Sequence, residues 1–117
     1  MKFANGVLSA RVTVVETPSF VRSSEGLLTA EEIGDLKATL EVNPRAGVVI
    51  KGCGGCRKIR CRSKRKGKRG GARVVYVVLS EHGRVYLLLA YSKSDQDDLT
   101  SDQRRQLRVV AEKVKRQ

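Results

Sequence analysis

The sequence predicts a small α+β domain, an antiparallel sheet packed by N-terminal helices and a C-terminal helix. Three observations lead there. Residues 57–62, 72–79 and 84–91 read as successive strands, separated by a glycine-rich loop and a four-residue turn. Apolar residues at helical spacing precede them, at Ile33, Leu36 and Leu40, and follow them, at Leu107, Val110, Ala111 and Val114. A chain of 117 residues suits one domain, residues 1–117 with 1–10 a loose end. At that size roughly two-thirds of the unfolded chain's surface can be buried.

In chain order, Arg11-Val-Thr-Val-Val15 is β-branched and bounded by Pro18, as a short strand is. Phe20 to Leu28 suits a short helix or an irregular turn, since Gly26 opposes a long helix. Thr29-Ala-Glu-Glu32 has the spacing of a capping box, and Asn43-Pro44 ends the helix it starts. Residues 46–52 form a connector with Val48, Val49 and Ile50 extended. Residues 57–62 alternate, so Ile59 and Cys61 share one face of a strand while Lys58, Arg60 and Arg62 share the other. Residues 72–79 are nearly all apolar, as a central strand is. Ser80-Glu-His-Gly83 makes a hairpin turn with Gly83 free to take positive φ. On the return strand, alternation puts Val85, Leu87 and Leu89 on one face and Tyr86, Leu88 and Ala90 on the other. An acidic loop over 92–99 leads to a last helix capped by Thr100 or Ser101.

Charge narrows the function. The net charge is +12, from 24 Lys and Arg against 12 Asp and Glu. Ten cations lie between Arg57 and Arg73, and no acid lies between Arg45 and Ser80. Side chains at this density repel one another, and a polyanion is the simplest reason to hold them together. The run is internal, holds an alternating strand and is flanked by the best strands, which points to a folded basic face more than a solvated tail. No apolar run nears the roughly 20 residues of a membrane span, and Met1–Gly6 lacks a signal-peptide core, so a cytoplasmic protein is expected.

Other constellations carry less. Cys53-x-x-Cys56, with Cys61 and His82, supplies one close pair where tetrahedral zinc usually takes two. Cys61 reads as a small core residue, Cys53 and Cys56 as loop residues, and His82 as solvated; no metal is expected. A strand rather than a helix follows the CxxC, which argues against a redox motif. Gly52-x-Gly54-Gly55 lacks the Gly-Lys-Ser/Thr ending of a nucleotide loop. Tyr76, Tyr86 and Tyr91 are strand residues, and Tyr91 stands out at a strand end beside Lys93.

The run Asn43-Pro44-x-x-Gly47-x-Val49-Ile50-x-Gly52-x-Gly54-Gly55-x-Arg57-Lys58-x-Arg60 continues as Gly67-Lys68-x-Gly70-Gly71-x-Arg73-Val74-x-Tyr76 and a strand ending near Lys93. It resembles the HigB-like branch of the RelE/ParE superfamily of type II toxin–antitoxin toxins, over about residues 12–114. The resemblance implies a RelE-like, microbial-ribonuclease-like fold. It implies a toxin that cleaves mRNA in the ribosomal A site, without cofactor or metal, by means of the substrate's 2′-hydroxyl. It implies as partners a cognate antitoxin, HigA-like with a helix-turn-helix, the ribosome with its A-site mRNA, and operator DNA only through the antitoxin. By position, Lys58 and Arg60 match the family's basic strand residues, Arg73 the arginine opening the next strand, and Tyr91 and Lys93 the polar set ending the last. These five are the catalytic candidates. Arg60 and Arg73 would meet transition-state charge, and Lys58 would bind phosphate or transfer a proton. Tyr91 and Lys93 are candidates for base or acid. Arg57, Arg62, Lys64, Arg65, Lys66, Lys68 and Arg69 are expected to attract RNA. Cys53 and Cys56 depart from the family pattern and make their loop oxidation-sensitive.

Two other classes remain: a ParE-like toxin that binds gyrase without nuclease activity, and a non-catalytic basic ribosome- or RNA-binding protein. The basic strand residues favour the nuclease, because gyrase binding needs no cationic phosphate site.

Overall fold

The computed structural model of the chain describes residues 12–63 and 71–116. The loose end expected at 1–10 and the basic residues Lys64, Arg65, Lys66, Lys68 and Arg69 lie outside them. Strand β1 (Thr13–Glu16) is followed by helix α1 (Pro18–Ser24), helix α2 (Ala30–Val42) and the two-residue strand β2 (Val48–Val49). Strands β3 (Arg57–Cys61), β4 (Ala72–Leu79) and β5 (Arg84–Ser92) come next, and helix α3 (Ser101–Lys115) is last.

Local chemistry accounts for the helix starts. The Thr17 hydroxyl accepts from Phe20 N–H and donates to the Leu87 carbonyl at 2.7 Å, so one side chain caps α1 and ties it to the sheet. Pro18 follows at the first helical position, where its missing N–H is harmless. The capping box at Thr29 forms: Glu32 N–H donates to the Thr29 hydroxyl, and Thr29 N–H donates to the Glu32 carboxylate, both at 3.0 Å. Thr100, not Ser101, caps α3, with a second capping box to Gln103.

The sheet order is β1-β5-β4-β3-β2. The three strands read from sequence are antiparallel neighbours, and β2 adds antiparallel to β3. Strand β1 lies outside β5 and runs parallel to it. The hairpin turn closes at Gly83, φ 61°.

The sheet separates two apolar clusters. On one face Phe20, Leu36 and Leu40 of α1 and α2 pack on Val74, Tyr76, Val85 and Leu87. On the other, Leu107, Ala111 and Val114 of α3 pack with Cys53 and Cys56 on Val75, Val77, Leu88 and Tyr91. Simple alternation fails once. Val75 pairs with Leu89 but Tyr76 with Leu87, so Leu88 is an extra residue, a β-bulge. Leu88 and Leu89 therefore both belong to the α3 side, and Ala90 joins Val85 and Leu87 on the other. Val110, expected in the buried stripe of α3, is 39% exposed.

Candidate active site

The bulge matters because it sets which residues of β5 stand beside which cations. Arg60 on β3 lies directly across from Arg73 on β4, and Arg73 directly across from Tyr91 on β5. Directly opposed residues of an antiparallel pair project from the same face, with Cβ atoms about 5 Å apart. Arg60, Arg73 and Tyr91 thus form one cross-strand row. Lys58, two residues from Arg60, shares that face and stands opposite Val75 of the α3-side cluster. Lys58, Arg60 and Arg73 also line an open depression of about 380 Å³ with Ala46, Gly47 and Val48.

Gly47 holds the depression's wall close to β3. A Cβ there would stand 2.6 Å from the Lys58 carbonyl oxygen and 2.9 Å from the Tyr76 hydroxyl, so no side chain fits. Gly47 N–H donates to the buried Tyr76 hydroxyl at 2.8 Å, and Arg57 donates to the Gly47 carbonyl at 2.8 Å. Burial pushes the Tyr76 phenol up, against the Gly47 hydrogen bond and the Arg57 charge, which lower it.

Arg57 is thereby separated from the other cations. It pairs with Tyr76, on the face opposite Lys58 and Arg60, and its guanidinium serves the 45–47 backbone. Arg62 is exposed just past β3. Lys93 lies one residue beyond β5: its N–H donates to the Gly71 carbonyl, and its ammonium donates to the Asp97 carbonyl at 2.6 Å. It is held against its own loop.

Two residues at the site went unmarked in the sequence. Asp98 accepts from Leu99 N–H at 2.8 Å, pairs with the Lys58 ammonium at 3.4 Å and with the Arg104 guanidinium at 2.9 Å. Arg104, on the first turns of α3, also donates to the Lys51 carbonyl. The Leu99 amide holds the Asp98 carboxyl below the usual range, aided by the charges of Lys58 and Arg104 and opposed by partial burial. The available signal was positional: the acidic residues sit between the last strand and the last helix, where the chain turns back over the cationic strands.

Tyr91 is 6% exposed, and its hydroxyl has no hydrogen-bond partner among the described residues. Burial raises the phenol's pKa, and Asp98 raises it further against the charges of Arg73 and Arg104. At neutral pH it is a protonated donor with an unused hydrogen, which suits an acid more than a base.

The cysteines are placed otherwise than expected. Cys53 and Cys56 are fully buried under α3 rather than exposed in a loop, while Cys61 is buried on the opposite face of the sheet. Burial pushes the Cys56 thiol up to about 12, helped by Cys53, and the Cys61 thiol up to about 11. Buried thiols with raised pKa react slowly, which corrects the expectation of an oxidation-sensitive loop. His82 is exposed in the hairpin turn, at the other end of β4 and β5 from Arg73 and Tyr91.

A five-stranded sheet walled by helices is the fold of solved RelE toxins. The RelE family, described as the RelE toxin of the RelE/RelB toxin–antitoxin system, matches residues 34–117. The chain belongs to that family and is a toxin of the toxin–antitoxin class. Among solved structures, it is similar to the free E. coli toxin RelE, an arginine-to-alanine double mutant, with a TM-score of 0.56 and 20% identity over 74% of this chain and 88% of that one. It is also similar to a chain of the archaeal RelE–RelB complex from Pyrococcus horikoshii OT3, with a TM-score of 0.52 and 18% identity over 74% of this chain and 99% of that one. Among the described residues no helix is long and apolar enough to cross a membrane.

Proposed function

We propose that the protein is a HigB-like mRNA endoribonuclease acting on ribosome-bound mRNA in the cytoplasm, with residues 1–117 as one toxin domain. The observation that carries this reading is the cross-strand row Arg60–Arg73–Tyr91 with Lys58 on the same face. In metal-free cleavage the 2′-oxygen attacks the adjacent phosphorus and the bond to the 5′-oxygen breaks. The products are a 2′,3′-cyclic phosphate and a 5′-hydroxyl: a base takes the proton of the 2′-hydroxyl, and an acid gives one to the leaving 5′-oxygen. Charge builds on the equatorial phosphoryl oxygens, and two guanidiniums side by side offer planar pairs of donors to them. Lys58 binds phosphate or transfers a proton, and Tyr91 holds a protonated phenol with an unused hydrogen behind the same row. Lys93 is a further acid–base candidate at the edge of the site. The basic run from Arg62 through Arg69 draws RNA in without reading its sequence.

A toxin of this kind needs a neutralising partner. We infer a cognate antitoxin, HigA-like with a helix-turn-helix, through which alone the toxin meets operator DNA. The RelE–RelB complex of the archaeal relative supports the pairing.

Primer extension on ribosome-bound mRNA tests the reading. Arg73→Ala should lose cleavage by about a hundredfold to a thousandfold, the loss typical of a transition-state donor, while still sedimenting with ribosomes. Arg65→Ala should weaken binding modestly and reduce its salt dependence by about one phosphate contact. Near wild-type cleavage by Arg73→Ala would misplace the site. Absent cleavage by the wild type, with gyrase inhibition instead, would favour the ParE-like alternative.

A further inference from the structure

The cationic face already contains an anion. Asp98 comes from the loop between β5 and α3, yet its carboxylate ends between Lys58 of β3 and Arg104 of α3, at 3.4 and 2.9 Å. Tyr91, on the same face of the sheet, is more than nine-tenths buried, and its hydroxyl has no partner among the described residues. A carboxylate and a phosphate diester each offer two terminal oxygens to the same donors. The Asp98 side chain is about half exposed, and the Leu99 N–H that it accepts belongs to the same loop, so it can leave without breaking a core contact.

We propose that Asp98 is a built-in phosphate mimic that holds Lys58 and Arg104 until an RNA phosphate displaces it, and that Arg104 is a further phosphate-binding residue of the site. This rests on reading the face as an RNA site. Arg104 extends the binding surface from the sheet onto α3, so one phosphate sits over Arg60 and Arg73 and a neighbouring one between Lys58 and Arg104. The exchange swaps one anion for another at fixed cations, so RNA binds with less net gain than the +12 charge alone would give. The unused Tyr91 hydrogen then has an acceptor.

The test is fluorescence anisotropy with a 2′-O-methyl RNA, whose blocked nucleophile prevents cleavage, over a series of salt concentrations. Asp98→Asn keeps the acceptor for Leu99 N–H and removes the competing charge. It should bind on the order of tenfold tighter, with a steeper salt dependence. Arg104→Ala should bind several-fold weaker and lose about one unit of the slope of log K against log salt, and Arg104→Lys should recover most of it. In the double variant Asp98→Asn/Arg104→Ala the gain from the first change should shrink. One measurement needs no variant: in the wild-type protein, the Leu99 amide resonance should shift when RNA is added, as its bond to Asp98 is lost. Equal or weaker binding by Asp98→Asn, wild-type binding by Arg104→Ala, or a Leu99 resonance unmoved by saturating RNA would each overturn the proposal. Any of these alongside a cleavage-dead Arg73→Ala would leave the ribonuclease reading standing. A wild-type protein that neither binds nor cleaves RNA would remove both.

Discussion

Single hydrogen bonds fix the shape of the cationic depression. The Tyr76 hydroxyl, fully buried, is what the Gly47 N–H meets. Tyr76→Phe removes the acceptor and leaves a buried amide without a partner, which costs about 1–3 kcal/mol. The expected result is a lower urea midpoint with an unchanged m-value; a midpoint equal to wild type would show that water replaces the hydroxyl. The sequence marked Tyr76 only as a strand tyrosine, because its partner lies 29 residues away along the chain. Lys58, Arg60 and Arg73 were legible, since alternation along β3 and the opening of β4 suffice to put them on one side. Asp98 and Arg104 were not, because their meeting with Lys58 depends on where α3 lands, and no local pattern encodes that.

At the level of elements, caps were easier to read than faces. The capping box at Thr29 follows from side-chain reach over three residues and is present, and Thr100, one of two caps read for the last helix, forms a second box with Gln103. Thr100 caps the helix that carries Arg104, so its loss acts twice. Thr100→Ala should lower stability by about 1 kcal/mol and also loosen the first turn of α3. Hydrogen exchange at Arg104 should then rise more than at Ala111; equal protection at both would mean the cap contributes nothing local. Faces were misread where a register changes. The bulge at Leu88 exchanges Leu89 and Ala90 between the two sides of the sheet, and nothing in an unbroken apolar strand announces it. Val110 failed for a geometric reason. At about 100° per residue it lies at the margin of the stripe formed by Leu107, Ala111 and Val114.

The whole molecule is two apolar layers with a sheet between them, and its buried thiols belong to both. This gives stability a definite pH dependence. Cys56 and Cys61 titrate near 12 and 11 in the folded protein against an ordinary 9.0, and Cys53 is also raised. A group whose pKa is raised by folding contributes stability that is fully present below the unfolded value and lost as pH climbs through the folded one. The thermal midpoint should therefore fall as pH rises from 9 toward 12, and fall less steeply in Cys61→Ala. A midpoint that is flat across that range would mean the thiols are wetter than their burial indicates. The α+β class was legible because helical and strand periodicities alternate cleanly along the chain. The parallel seating of β1 was not, since a four-residue strand carries no information about its neighbour's direction.

That seating has a consequence for synthesis. Strand β1 leaves a translating ribosome well before β5, its neighbour in the sheet among the described residues, about 70 residues downstream. The Thr17 cap is anchored to the same distant strand. Helix α1 and β1 must therefore wait, unpaired, until β5 is made. The cationic row is also unfinished until Tyr91 is in place, and the Asp98–Arg104 pair comes later still. A nascent chain can thus carry most of its positive charge before the row Arg60–Arg73–Tyr91 and the Asp98–Arg104 pair are complete.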